Sequence, residues 1–194
     1  MKKKSLFVIG DSISMHYGPY LKKMIKDKFV YSRVRGNGED SRNVLKIVAR
    51  DRNRLSKLDV LLLNCGLHDI KINHGKTGNQ VPVVTYAENL KKIISLLKKM
   101  KLATIWLRIT HIDDKQHKKF SKYFDRCHKD VVKYNLVADK IMKQNKIQSI
   151  DLYSFTKKLG NDLFCDHVHF KDQIRKLQAA YIAGRIKNVI STGK

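Results

Sequence analysis

The chain has 194 residues, with 41 Lys and Arg against 17 Asp and Glu and a formal charge of +24. An apolar content of 42% and only two prolines exclude a disordered or collagen-like chain, and this length predicts one domain, residues 1–194, with a proper core. The longest apolar runs, Leu6 to Ile9 and Val60 to Leu63, are far too short to cross a bilayer.

Residues 5–10 form a short apolar run ending in glycine, the pattern of a buried parallel strand. The three lysines before it look like the start of a signal peptide. The apolar stretch stops at Ile9, however, and no cleavage site follows, so a cytoplasmic location is expected. Met15, Tyr20, Leu21, Met24 and Ile25 recur at helical spacing over residues 14–27. Residues 29–35 alternate and are rich in β-formers, Gly36-Asn37-Gly38 breaks that strand, and residues 41–54 read as a helix. A strand over 58–64 precedes a long loop, 66–84. Residues 85–100 are an amphipathic helix, with Leu90, Ile93, Ile94 and Leu97 on one side and lysines on the other. A strand over 102–109, a polar loop over 110–124, a helix over 125–145, a strand over 147–152 and a closing helix from Phe170 to about Ile190 complete the chain.

Strands alternating with helices predict an α/β fold: a five-stranded parallel sheet in a three-layer α/β/α sandwich. In such sheets the ligand lies beyond the carboxyl ends of the strands, so the residues that follow each strand carry the functional question. After the first come Gly10-Asp11-Ser12, close to a helix N-terminus that favours a developing oxyanion; the alternative is a plain turn with Ser12 or Ser14 as helix cap. After the second come Gly36-Asn37-Gly38-Glu39-Asp40-Ser41, where a glycine N–H can approach a substrate, or where the chain simply turns into the next helix. After the third come Cys65-Gly66-Leu67-His68-Asp69. Before the last helix stand Asp166-His167-Val168-His169. A carboxylate three residues ahead of a histidine can curl back onto its Nδ1–H and free Nε2 to take a proton from serine. Asp166 and His167 are adjacent and point apart, so His169 is the better base.

These four blocks together, in this order from Gly10 to His169, resemble the SGNH hydrolase superfamily, the GDSL esterases, over nearly the whole chain. The resemblance implies a flavodoxin-like fold and a serine esterase. Ser12 matches the nucleophile, and Asp166 and His169 match the DxxH block. The oxyanion hole falls to the Ser12 N–H, to the N–H of Gly38 (with Gly36 as the fallback) and to His68. The family's third block reads GxND, so His68 stands where an oxyanion-binding asparagine is normal; a neutral imidazole can donate one hydrogen bond in its stead. Neither a cofactor nor a metal is implied.

Compact members of this family often act on short acyl groups, above all acetyl groups on sugars, which implies hydrolysis of O-acetyl esters on a small molecule or polysaccharide. The loops over 70–84 and 110–124 border the site with His74, His111, Asp113, Asp114, His117 and many lysines, a polar rim that suits a carbohydrate, and an anionic one in particular. The same serine could serve an acyltransferase. A binding module for an anionic polymer, with a degenerate site, is the alternative from another class. A metallophosphoesterase would need an Asp-x-His ahead of the first block, and residues 1–9 hold neither residue.

The lysines are spread in pairs such as Lys22-Lys23 and Lys98-Lys99, which reads as solvated helix faces or as a field for an anionic partner. Clustered arginine, interleaved aromatics and known nucleic-acid motifs are missing, so specific nucleic-acid binding is not expected. Three cysteines without a CxxC pair argue against a disulfide framework and a zinc knuckle, and Cys65 and Cys165 read as packing residues. Asp11 and Asp69 read as carboxylates bracing the loops, Trp106 as core, and Tyr17 and Tyr20 as pocket or helix packing.

Overall fold

The apolar runs fall into strands and the lysine-flanked segments into helices. The computed structural model describes residues 2–191. The chain begins β1 (Lys4–Ile9), α1 (Ser12–Ile25), β2 (Phe29–Arg33), α2 (Ser41–Arg50), α3 (Arg52–Leu55) and β3 (Val60–Leu63). It continues β4 (Ile72–Asn73), α4 (Val83–Lys99), β5 (Ala103–Leu107), α5 (Asp114–Phe120) and β6 (Phe124–Asp125). It ends α6 (His128–Gln144), β7 (Gln148–Ile150), α7 (Leu152–Lys157) and α8 (Asp172–Ser191).

Five strands make one parallel sheet in the order β2-β1-β3-β5-β7. Every residue from Leu6 to Ile9 and from Val60 to Leu63 is buried, because helices cover both faces of these inner strands. Helices α1, α7 and α8 pack together, as do α2, α4 and α6, one group for each face. This is the three-layer α/β/α arrangement that the alternation predicts. The buried apolar side chains form one continuous cluster, with Trp106 of β5 wholly inside it.

Several boundaries differ from the sequence reading, each for a local reason. α1 starts at Ser12, because the Asp11 carboxylate accepts the Ile13 N–H at 3.0 Å; Asp11 is the cap, not Ser12 or Ser14. The last strand stops at Ile150, because Asp151 caps α7 by accepting the Ser154 N–H at 2.9 Å. The loops over 66–84 and 110–124 contribute β4 and β6, which pair antiparallel, and α5. Two-residue strands and a seven-residue helix are too short to show a period. α6 begins at His128 rather than 125, since Phe124 and Asp125 belong to that pair and Cys127 is extended.

The strand order sets the site. β1 has β2 on one side and β3 on the other, so successive connections leave it in opposite directions and open a crevice at its carboxyl end. Ile9 pairs with Leu63, so the residues after β1 and those after β3 emerge side by side.

Candidate active site

Only Gly10 and Asp11 separate β1 from α1. The Asn64 N–H bonds to Ile9 O at 2.9 Å, and the Asn64 side chain donates to Leu107 O at 2.7 Å, tying the ends of β1, β3 and β5 together. Ser12 takes the first helical position, where the backbone N–H has no acceptor within the helix and the dipole's positive end lies. Asp11 is wholly buried, and burial pushes its carboxyl up against the opposing pull of the Ile13 N–H, Arg126 and His169.

The turn before α8 is closed by the Cys165 N–H on His169 O at 2.8 Å. Within it the two oxygens of Asp166 divide their work. Oδ1 accepts the backbone N–H of Val168 at 2.8 Å and of His169 at 2.7 Å. Oδ2 lies 2.6 Å from Nδ1 of His169, and Nε2 of His169 lies 2.8 Å from Ser12 Oγ, 157 residues away in sequence. Burial works to raise the Asp166 pKa, but the two amides and the His169 ring outweigh it and hold it down to about 2. An ionised Oδ2 can only accept, so the proton of the ring sits on Nδ1, and Nε2 is free to take the hydroxyl proton. His16, one helical turn beyond Ser12, packs its ring 4.5 Å from that of His169. Burial first, and then the charges of His169 and Arg175, lower its pKa to about 4, which makes it a neutral wall.

The opposite side of the crevice is more sparingly equipped. Gly38 approaches β1 so closely that a Cβ there would lie 2.8 Å from Gly10 O, and its N–H donates to that oxygen at 3.0 Å. Gly36 has a positive φ of 76° and lies in the open turn beyond. His68 is partly buried; burial, followed by the charges of Lys71 and Arg126, lowers its pKa to about 3. Asp69 beneath it accepts the Ser41 N–H at 3.0 and 3.1 Å and the Ser41 hydroxyl, bracing this loop against the start of α2. Burial pushes its carboxyl up to about 7.

The rim residues divide into groups. His111, Asp113 and Asp114 line a cavity of about 690 Å³ together with His128, Lys157 and Phe164. Gln116 connects its wall to the turn before α8 by donating to Asp166 O at 3.2 Å. His117 is buried, with Nδ1 3.1 Å from His167 O. His74 is exposed, 3.6 Å from Asp125 at the β4–β6 pair. Tyr17 is core, and Tyr20 bonds to Asp172 of α8. Cys65 is buried, but Cys165 is exposed: its thiol faces the His169 and Phe170 carbonyls at the rim of the turn, not the core.

Sequence reasoning missed Asn64, His16 and Arg126. A serine and a histidine four apart, as Ser12 and His16 are, share a helix face, so His16 could have been found once α1 was started at Ser12. Arg126 carried no local signal. Among the described residues no group of three or more His, Cys, Asp or Glu side chains is placed to hold a metal ion, and no helix is long and apolar enough to cross a membrane.

No protein-family model matches the sequence, and no curated protein sequence matches it. Solved structures do. A lipase/acylhydrolase from Enterococcus faecalis is 19% identical, with 95% of this chain and 96% of that one covered and a TM-score of 0.77. An acetyl xylan esterase is 17% identical, over 94% of this chain and 99% of that one, with a TM-score of 0.74. A psychrotrophic esterase from Pseudoalteromonas sp., in a structure inhibited by monoethylphosphonate, is 15% identical over 98% and 100%, also with a TM-score of 0.74. The sheet order, the crevice beyond β1 and these likenesses lead to one statement of kinship: this chain has the fold of the SGNH, or GDSL, hydrolases.

Proposed function

We propose that the protein is a carboxylic ester hydrolase in which Ser12 is the nucleophile, His169 the general base and acid, and Asp166 the group that orients His169. The observation that carries this reading is the continuous hydrogen-bond chain from Asp166 Oδ2 through His169 to Ser12 Oγ, with links of 2.6 and 2.8 Å. As Ser12 Oγ attacks the ester carbonyl, its proton passes to His169 Nε2, and the nearby Asp166 carboxylate stabilises the imidazolium. The tetrahedral oxyanion is held by the Ser12 N–H at the helix start and by the N–H of a neutral His68. The Gly38 N–H joins them only by leaving Gly10 O. His169 then protonates the leaving alcohol, and water attacks the acyl-enzyme by the reverse path.

The acyl group is short, an acetyl group in the first instance, and the alcohol is a sugar. The polar cavity lined by His111, Asp113, Asp114, Lys157 and Asn161, whose wall Gln116 joins to the turn that carries Asp166, supports a hydroxyl-rich leaving group over a fatty chain. The acetyl xylan esterase among the similar structures is consistent with that choice.

A fluorophosphonate probe tests the chemistry. One modified residue, Ser12, is expected, and Ser12→Ala is expected to abolish both labelling and hydrolysis of p-nitrophenyl acetate while the thermal melt stays in place. Undiminished turnover in Ser12→Ala would remove Ser12 from the mechanism. Faster turnover of C8 or longer esters than of acetylated sugars would reject the sugar.

A further inference from the structure

Arg126 follows β6 and reaches inward under the loop that carries His68. Its residue is only 4% exposed, yet it makes no ion pair with any described residue. One of its donors is satisfied: Nε gives its hydrogen to Leu67 O at 2.6 Å. Nη1 is buried and has no partner. The carboxyls whose charge reaches it are engaged elsewhere, Asp11 with the Ile13 N–H and Asp166 with two amides and the His169 ring. A guanidinium withdrawn from water with no carboxylate in contact is costly, and such a group is retained where something else completes it.

A second cation shares the place. Lys71 Nζ lies 4.8 Å from the centroid of the Phe124 ring, and the Arg126 guanidinium carbon lies 4.8 Å from the same centroid. The ring therefore holds both positive groups in one neighbourhood through its π face. Lys71 has no ion pair among the described residues either, and burial followed by the charge of Arg126 lowers its pKa. The charges of Glu39 and Asp40 reach Lys71 without forming an ion pair with it, and burial keeps His68 and His167 neutral, so neither ring adds charge. The neighbourhood is continuous with the reacting residues. The Phe124 ring is 5.6 Å from that of His167, which is 5.9 Å from that of His169.

We propose that Arg126 and Lys71 form an anion-binding subsite beside Ser12, and that the substrate is an ester whose sugar carries an anionic oxygen group. This rests on the hydrolase reading above and names the class of its substrate. The guanidinium offers directed N–H donors to a carboxylate or phosphate, and the ammonium adds a mobile point charge. The group is a carboxylate, as in a uronic acid, or a phosphate, as in a sugar phosphate; the chemistry of recognition is shared, and the test separates the sources.

The test compares acetate release from acetylated glucose, acetylated glucuronate and acetylated glucose 6-phosphate. The wild-type enzyme is expected to favour at least one anionic ester by about 10-fold or more in kcat/KM, chiefly through KM, with the preference shrinking as salt is raised. The better anionic ester identifies the group. In Arg126→Gln and Lys71→Gln the ratio of anionic to neutral turnover is expected to collapse towards one. A wild-type ratio near one overturns the subsite, and so does an Arg126→Gln variant that lowers all three esters equally, which would confine Arg126 to holding Leu67. If Arg126→Gln does not fold, Lys71→Gln and competition decide: failure of both free glucuronate and inorganic phosphate to inhibit the wild-type enzyme competitively overturns it. Fluorophosphonate labelling is run beside these assays. Labelled Ser12 without a preference for either anion sinks the subsite alone, whereas unlabelled Ser12 sinks the hydrolase reading and the subsite with it.

Discussion

Asp166→Asn separates the two jobs of one carboxylate. An asparagine at this position can keep its carbonyl oxygen where Oδ1 lies, still accepting the Val168 and His169 N–H groups at 2.8 and 2.7 Å, so the turn before α8 survives. Its amide nitrogen then replaces Oδ2, 2.6 Å from Nδ1 of His169. An NH₂ group donates, so the imidazole must turn an unprotonated Nδ1 towards it and carry its hydrogen on Nε2. That is the atom facing Ser12 Oγ at 2.8 Å, and a protonated Nε2 cannot take the hydroxyl proton. The expected loss in kcat is about 10⁴-fold, as for the equivalent change in serine proteases, or roughly 5.5 kcal/mol of transition-state stabilisation. Asp166→Ala removes the turn as well, so it should lose both activity and about 1 kcal/mol of stability. Steady-state kinetics on p-nitrophenyl acetate and thermal melts of the two variants make the comparison. If Asp166→Asn retained turnover within 10-fold of wild type, Asp166 would not be setting the tautomer, and the proposed roles of all three residues would have to be redrawn.

Three further outcomes follow from the site's geometry. His68→Ala should lower kcat/KM by about 100-fold or more through the lost oxyanion donor, and His68→Asn should recover most of it; an alanine variant within a few-fold of wild type would free His68 from that role. Gly38→Ala brings a Cβ to 2.8 Å from Gly10 O and 3.1 Å from Gly10 C, both backbone atoms that cannot step aside. It should lower stability by about 1–3 kcal/mol and slow turnover, and an unchanged melting temperature would show that the turn has room to spare. His16, His111 and His167 have pKa values lowered to about 4 and His68 to about 3, burial being the first cause in each, against an ordinary 6.5. The unfolded chain therefore binds protons that the folded one refuses. The stability these rings contribute is complete above pH 6.5 and drains away as pH falls towards 4 and 3. Each ring adds at most about 1.4 kcal/mol per pH unit, less for its partial exposure. Denaturant midpoints at pH 8, 6 and 5 should fall in that order, and a flat series would contradict the lowered pKa values of these rings.

The layered fold was legible because its signals are local. Val60-Leu61-Leu62-Leu63 and Leu6 to Ile9 are too apolar for anything but strands covered on both faces, and the alternation with amphipathic helices sets the topology. Ser12, Asp166 and His169 could be singled out because each stands just beyond a strand or before a helix, with a spacing that has a chemical use. What stayed hidden depends on contacts between distant segments. β4 and β6 are two residues each and exist only because they pair with one another across 51 positions and more. Asn64 looks like the last residue of an apolar strand until β5 supplies Leu107 O. Cys165 stands beside a motif residue and reads as a packing residue, but a hydrogen-bonded turn aims its side chain outwards. Arg126 is a surface residue by type, and only the three-dimensional fold withdraws it from water.

The two halves of the site are unequally built, and that inequality bears on the residue where this chain departs from the SGNH sequence pattern that it resembles. The base side is over-determined: Asp166 makes three hydrogen bonds, and His16 packs against His169. The proposed oxyanion side has one amide at a helix start, one amide already committed to Gly10 O, and an imidazole in place of a carboxamide. An asparagine would present its NH₂ whatever charges surrounded it. An imidazole presents one N–H when neutral and would bring a full charge when protonated, and Lys71 and Arg126 oppose that charge. Burial does most to keep His68 neutral, and the same two cations that would draw an anionic sugar into the crevice add to it. Substrate selection and the oxyanion donor become coupled: removing either cation should weaken the hold on an anionic sugar and also ease protonation of His68. The acid limb of the pH–rate profile measured on a neutral ester should then reflect which cation is missing, even though that substrate has no use for the subsite.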